Sequence, residues 1–329
     1  MISRRSLLVA APLVLYSSRG RAWFPHGVPL TFTPTITFNI SHDSTWDYIS
    51  NGGAFPNLPD TTKAQADAVV AHVVSDMESW FTVGSGTAAS VNIGIGWGRI
   101  YGGGSIVGIA TSTHVYGPWM SYSTMRSTLL GLPTDAVKSS GYNSTSLPSG
   151  SDPCNATNGY GIPTGTLAIW NGANDANTQA TGFASSGWDY TADGKSNSNG
   201  GYPFYDAVTH EFVYALNHNG LAGYIPLGYS SVSELFCYDN PAPGVRDVGP
   251  VPSAASGGSG KRYFSLDNGA TSIGSLYASE EDASFNSGAS PLNVFSSPGA
   301  VNYWRAVDMK KMSILGMPLS SVGKAFAGI

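Results

Sequence analysis

The chain has 329 residues, a net charge of −5 and charged side chains at only 11% of positions, while glycine alone fills 41. So few and so dispersed lysines and arginines exclude nucleic acid as a partner, because phosphate recognition needs clustered cations. Beyond the amino terminus no stretch stays apolar over the roughly 20 residues that a spanning helix requires, so no membrane span is expected.

The amino terminus, Met1-Ile2-Ser3-Arg4-Arg5-Ser6, is followed by an apolar run from Leu7 to Tyr16 and a short polar stretch ending Gly20-Arg21-Ala22. A charged start, an apolar middle and a small-x-small end make a secretory signal. The arginine pair directly before the run points to the twin-arginine route, with cleavage after Ala22 and a periplasmic or extracellular destination.

After the signal, alternation of Phe32, Ile36, Phe38 and Ile40 predicts a strand over 31–40. Ala66, Val70, Val73, Met77 and Trp80 recur at helical spacing and predict a helix over 61–81, capped by Asp60 or Thr61. Val91, Ile93, Ile95 and Trp97 alternate as a half-buried strand, and a second strand is read at 106–110. A short helix over 123–130 precedes a Ser-, Gly-, Asn- and Pro-rich loop at 139–165, then a strand at 166–170 and another polar, glycine-rich stretch at 174–201. A helix over 205–216, a strand at 262–266 and a last helix over 303–315 complete the reading. There is no internal repeat, and the strands are too few for two separate sheets. About 300 residues after the signal therefore form one α+β domain, residues 23–329.

Cys154 and Cys237 are the two cysteines. In an oxidising compartment one disulfide is the default, but spacing does not show whether their Cα atoms approach, and two isolated cysteines make no zinc pattern.

The helix at 205–216 carries the chemistry. His210 and Tyr214 lie one turn apart on one face and Glu211 flanks them, while Ala207, Val208, Phe212, Val213, Ala215 and Leu216 make the rest apolar. Protonatable groups on a buried helix need partners, since burying them alone is costly. In the zincin motif H-E-x-x-H two histidines one turn apart hold zinc, and the intervening Glu is the general base for an attacking water. This chain reads His210-Glu211-Phe212-Val213-Tyr214, so a phenol stands where the second imidazole is expected. A phenol must first lose a proton with a pKa near 10, which makes it the poorer ligand. A satisfied core His-Glu pair is the plainer account of the same letters.

The stretch Ala207–Gly220 resembles the active helix of a family of secreted bacterial zincin-like metallopeptidases, which commonly reads H-E-I-x-E/H-x-(M/L)-G-R. Downstream segments are similar to that family in order. Ser233-Glu234-Leu235-Phe236-Cys237-Tyr238 matches its D-L-F-x-(F/Y) segment, and Ala242-Pro243-Gly244-Val245-Arg246-Asp247 its A-P-G-V-R-D turn. Tyr263-Phe264-Ser265-Leu266-Asp267-Asn268-Gly269 matches its Y-F-S-I-D-G-G strand and turn, and Ala306–Gly316 its terminal helix. The resemblance implies a zincin-like fold: a small mixed twisted sheet, a backing helix and an active-site helix, joined by long Gly/Ser/Asn-rich loops. It implies zinc as cofactor, Glu211 as general base, and His210, Tyr214 and Glu234 as the ligand shell, Glu234 standing where the family has Asp. Asn217 stands at the family's Gly, a residue tolerant of the left-handed turn that ends a helix. His218, at the family's Arg, is a substitute for Tyr214 only if the helix breaks at Asn217, since on a continuous helix it lies about 12 Å beyond His210.

His26, His42, His72 and His114 have no ligand spacing, and Trp188, Tyr202 and Tyr205 are candidates for a cleft lining. Three functions are carried forward: a secreted zinc-dependent endopeptidase acting on protein or peptide as a monomer, a catalytically inactive zincin-fold protein binding a protein or polymer, and a structural or adhesive surface protein.

Overall fold

The computed structural model describes residues 21–22, 30–31, 36–42, 60–82, 89–98, 101–102, 105–106, 110–113, 120–132, 135–160, 166–171, 188–191, 196–197, 200–215, 229–230, 232–239, 246, 262–275 and 299–329. The chain is mixed helix and strand. Its main sheet has four strands: β1 (Ile36–His42), β2 (Ala89–Gly98), β3 (Ala110–Thr113) and β4 (Thr166–Asn171), in the order β1-β2-β4-β3. β1 runs parallel to β2, in a register that sets Phe38 beside Val91, and β2 runs parallel to β4. β3 closes the far edge antiparallel to β4.

Alternation decides which face of this sheet is covered. Ile36 and Phe38 of β1, with Ile93 and Ile95 of β2, are buried. Asn39 and Asn92 point the other way, exposed, and bond side chain to side chain at 3.0 Å. One face is thus apolar and the other wet, the period-2 consequence of the strand pleat. Two helices fill the apolar side. Helix α1 (Asp60–Trp80) buries Ala66, Val69, Val70, Val73, Met77 and Trp80, a stripe at 3.6-residue spacing. Its Glu78 carboxylate accepts the Phe38 N–H at 3.0 Å, which occupies a backbone donor of the edge strand.

Two further helices are defined by their caps. Ser121 caps α2 (Tyr122–Leu130), its hydroxyl accepting Thr124 N–H at 3.2 Å. Asp135 caps α3 (Ala136–Gly141), accepting Lys138 N–H at 2.9 Å. Helix α4 (Phe204–Ala215) follows, packing on β3 and β4 and against α1, with Phe212 tilted against Phe38 at 6.3 Å between centroids.

Contrary to the expectation that the strands are too few for two separate sheets, the second half of the chain adds a three-stranded antiparallel sheet of β5 (Cys237–Asp239), β6 (Arg262–Phe264) and β7 (Gly274–Ser275), because strands of two or three residues carry too little alternation to be read from sequence. Two residues from segments that resemble motifs, Arg246 and Ser265, have structural partners here. Arg246 lies 5.4 Å over the Tyr238 ring, and its guanidinium donates to the carbonyls of Leu235 (3.0 Å) and Ser146 (2.6 Å). In the turn between β6 and β7, Ser265 donates to Asp267 at 2.7 Å, and Asp267 accepts Thr271 N–H at 2.7 Å. Asn268 and Gly269 take left-handed φ values of 58° and 84°, the conformation for which Asn and Gly carry the smallest steric penalty.

Helix α5 (Ala306–Ile314) packs on α3, and α6 (Ser321–Ala327) seats on the end of α1. The seat is made by the backbone. Ser320 N–H donates to Trp80 C=O at 2.9 Å, Thr82 N–H donates to Pro318 C=O at 2.8 Å, and the Ser320 hydroxyl reaches Ser79 C=O at 2.5 Å. Trp304 fills the space beneath, edge-on to Trp80 at 5.1 Å.

Several sequence expectations shift. The first strand of the sheet starts at Ile36, and Leu30–Thr31 instead pairs with Arg21–Ala22. The strand expected at 106–110 is divided: Ser105–Ile106 turns back on Tyr101–Gly102, and Ala110–Thr113 joins the sheet. The expected loop at 139–165 begins as the last turn of α3, and α6 was not foreseen, since four of its seven residues are Ser, Gly or Ala. Residues 1–20 of the signal lie outside the described residues. Both cysteines are buried and neither is in a disulfide, so the default pairing is absent, and Cys237 donates to the Ser233 carbonyl at 3.2 Å. Among the described residues no helix is long and apolar enough to cross a membrane.

Candidate functional site

The described side chains of helix α4 are almost all enclosed. Phe204, Tyr205, Asp206, Ala207, Val208, Thr209, Phe212 and Val213 are all buried. His210 is the one described side chain of this helix that is only half-buried. The sheet and α1 take the apolar sides, and the helical period leaves the imidazole at the margin. Glu211 and Tyr214 lie on the same helix, but their side chains are outside the described residues, as are Asn217 and His218 altogether. Glu234 sits on a 3₁₀ turn, Ser233–Phe236, buried, with the Ser230 hydroxyl donating to its Oε2. Just before that turn, Tyr229–Ser230 pairs in parallel with Gly159–Tyr160. Among the described residues no group of three or more His, Cys, Asp or Glu side chains stands in metal-holding range.

The structure also shows polar groups on α4 that the motif alone does not reveal. Tyr205 donates to Asp76 Oδ2 at 2.5 Å across to α1, and His72 Nε2 is 3.7 Å from the same oxygen. Burial, reinforced by Asp76, holds the Tyr205 phenol well above its ordinary value, so it remains a donor. Trp188 and Tyr205, for which the sequence leaves cleft lining and plain packing both open with packing the commoner case, are buried: Trp188 packs edge-on to Phe204 at 5.2 Å. Tyr202 is half-buried against Trp188. His42 lies 3.8 Å from Asp67, an exposed pair away from α4.

Asp206 was missed, although it stands four residues before His210 and so heads the same stripe, Asp206–His210–Tyr214. It is 3% exposed, its Oδ2 accepts from Asn302 Nδ2, and its Oδ1 has no hydrogen-bond partner. Burial pushes its carboxyl up to about 7, with the Asn302 bond opposing.

A second arrangement, Lys138–Ser313–Asp135, has the residue types of a Ser-Lys nucleophile pair. Lys138 Nζ donates to Ser313 Oγ at 2.9 Å and to Asp135 Oδ2 at 2.8 Å, and Ser313 donates to Asp135 at 2.8 Å. The lysine therefore acts as a donor rather than as a base toward the serine. Lys138 is 1% exposed and Ser313 fully buried, so no substrate reaches the hydroxyl. This is a polar pin between α3 and α5.

Comparison of the chain with known protein families, with characterised proteins and with solved structures returned no match.

Proposed function

We propose that the chain is an exported zinc-dependent metallopeptidase of zincin-like architecture with an altered metal motif. The observation that carries this reading is the placement of His210. Among its described side chains, a helix lying on a small mixed sheet beside a backing helix is buried except at the half-buried imidazole that begins His210-Glu211-Phe212-Val213-Tyr214. The order of sheet, backing helix and motif helix is the arrangement that the resemblance implies, and it supports the zincin-like reading.

Two of the three donors fit zinc in their chemistry, since imidazole nitrogen and carboxylate oxygen are its ordinary protein ligands, and the third is the weaker phenol of the altered motif. His210, Tyr214 and Glu234 would hold it. When bound, zinc supplies a Lewis acid for the scissile carbonyl. Glu211, next to His210 in the chain, takes the proton of the attacking water as general base and returns it to the leaving amine. Ser230 keeps Glu234 oriented by donating to one of its oxygens.

The test is the zinc content of the purified mature protein, wild type beside His210→Ala, with casein hydrolysis measured in parallel. About one zinc per chain is expected, lost in His210→Ala. Glu211→Ala is expected to keep metal and lose hydrolysis, and Tyr214→His to raise zinc affinity. A wild-type protein that is folded, binds no zinc and cleaves nothing overturns the reading. Tyrosine at position 214 favours one alternative, a zincin-fold protein that binds a protein or polymer without cleaving it, and that same outcome would support it.

A further inference from the structure

Helices α1 and α4 pack together, and one polar contact between them leads out to the surface. The buried Tyr205 of α4 donates its hydroxyl to Asp76 Oδ2 of α1 at 2.5 Å. His72 stands one turn before Asp76 on α1, with its Nε2 3.7 Å from that same oxygen. The His72 and Tyr205 rings lie 6.0 Å apart, centroid to centroid. Solvent reaches both donors, since the His72 side chain is 38% exposed and that of Asp76 23%.

The separation of the two donors is informative. At 3.7 Å the imidazole and the carboxylate are too far apart for a direct hydrogen bond. Two ligands of one zinc ion stand at a different span. Bonds of about 2.0–2.1 Å to nitrogen and about 2.0–2.2 Å to oxygen, meeting at a tetrahedral angle, set the donors about 3.4 Å apart. The observed pair is within a few tenths of an ångström of that span, which a small rotation of the half-open imidazole closes. Spacing by one helical turn keeps both side chains on one face of α1 without bending its backbone.

Tyr205 adds a support behind the carboxylate. Carboxylates that bind a metal are themselves hydrogen-bonded, which fixes their orientation. The Tyr205 hydroxyl makes that bond, and a carboxylate retains acceptor sites for a cation beside it. A second imidazole–carboxylate pair, His42 with Asp67 at 3.8 Å, spans β1 and α1 with Asp67 43% exposed, and it serves as the control.

We propose that His72 and Asp76 form a binding site for a divalent transition metal such as zinc, with Tyr205 orienting the carboxylate from behind. Imidazole with carboxylate suits zinc, whereas magnesium prefers oxygen donors alone. Water completes the coordination of a site with two protein donors, so metal exchanges with the surroundings and dialysis against a chelator removes it. The site is separate from the motif histidine, because Tyr205 and His210 are five positions apart on α4, about 140° around the helix. Nothing at His72 depends on metal or peptidase chemistry at His210.

The experiment is calorimetric titration of zinc into the full chain carrying His210→Ala, dialysed free of metal, so that the motif helix does not contribute. About one zinc per chain is expected, and no magnesium. Adding His72→Ala is expected to abolish binding, adding His42→Ala to leave it, and adding Tyr205→Phe to weaken it about 10–100-fold. No zinc bound at up to about 1 mM, or binding that survives His72→Ala, overturns the site. Unchanged affinity in Tyr205→Phe overturns the role of the phenol. Should Tyr205→Phe fail to fold, Asp76→Asn, which keeps an acceptor for the phenol, is expected to lose binding, and unchanged affinity there overturns the site.

Discussion

Replacing Gly323 by alanine tests the seat of the carboxy-terminal helix on α1. Gly323 is buried in the first turn of α6, and a Cβ built there would lie 2.2 Å from the Trp80 carbonyl oxygen, 3.1 Å from its carbon and 3.3 Å from Leu319 Cδ2. Judged by helix propensity alone, alanine would stabilise by about 0.5–1 kcal/mol. The contact reverses that sign. The obstructing atom is backbone, fixed at the end of α1 and accepting the Ser320 N–H at 2.9 Å, so α6 must move out by about 1 Å to restore an ordinary contact. Overpacking of this kind costs about 1–3 kcal/mol, and loss of the Ser320 bond adds about 1 kcal/mol. A net loss of about 1–3 kcal/mol is expected, read as a lower urea midpoint with unchanged slope. Gly150→Ala is the internal control, because its Cβ meets nothing within 4 Å and its backbone is not left-handed. It should change stability by no more than a few tenths of a kcal/mol. If Gly323→Ala is as stable as wild type while Gly150→Ala is neutral, α6 does not sit on the Trp80 carbonyl.

The polar pin of α3 and α5 gives a second expectation. Lys138→Met leaves Asp135 buried without its cation and should cost about 3–5 kcal/mol in chemical unfolding, with Asp135→Asn in the same chain recovering part of it. Burial raises the Asp135 carboxyl, but bonds from Lys138 and Ser313 outweigh this and hold it below the ordinary carboxylate range. Its stabilisation is therefore present above the ordinary value and lost as pH falls through the folded one, so Asp135→Asn should flatten the acid limb of a stability–pH curve. Arg246→Lys should lower stability by about 1–2 kcal/mol in thermal melts, because an ammonium cannot reach both carbonyls while lying flat over Tyr238. Both thiols should react with a disulfide reagent only after unfolding, since both are buried and burial pushes Cys154 up to about 12. Reaction of either in the folded protein would place it at the surface.

Local pattern reached a definite part of this protein. The stripe Ala66–Val70–Val73–Met77 declared α1 because a 3.6-residue period needs no distant partner to be recognised. The alternation of Ile93, Ile95 and Trp97 declared β2 for the same reason, and the apolar sides of 205–216 placed α4 within one residue of its observed ends. His210 was legible as the polar point of that helix. Segment 105–113 was not legible, because its short runs of Ser, Gly and Thr carry no period and pairing alone decides where they go.

What the tertiary structure decided is which polar groups are inside. Asp206 and His210 share a stripe one turn apart, yet one is enclosed beneath Asn302 and the other is left half-open, a difference set by a segment ninety-six residues away. Nothing in the local sequence marks Lys138 for burial, and it is a buried pin because α5 brings Ser313 to it. Arg246 and Ser265 resemble motif residues in sequence, and the fold uses them to satisfy carbonyls and close a turn. Sequence fixes periodicity, and therefore elements. Burial of a charge depends on what arrives from elsewhere in the chain, and no local pattern records that.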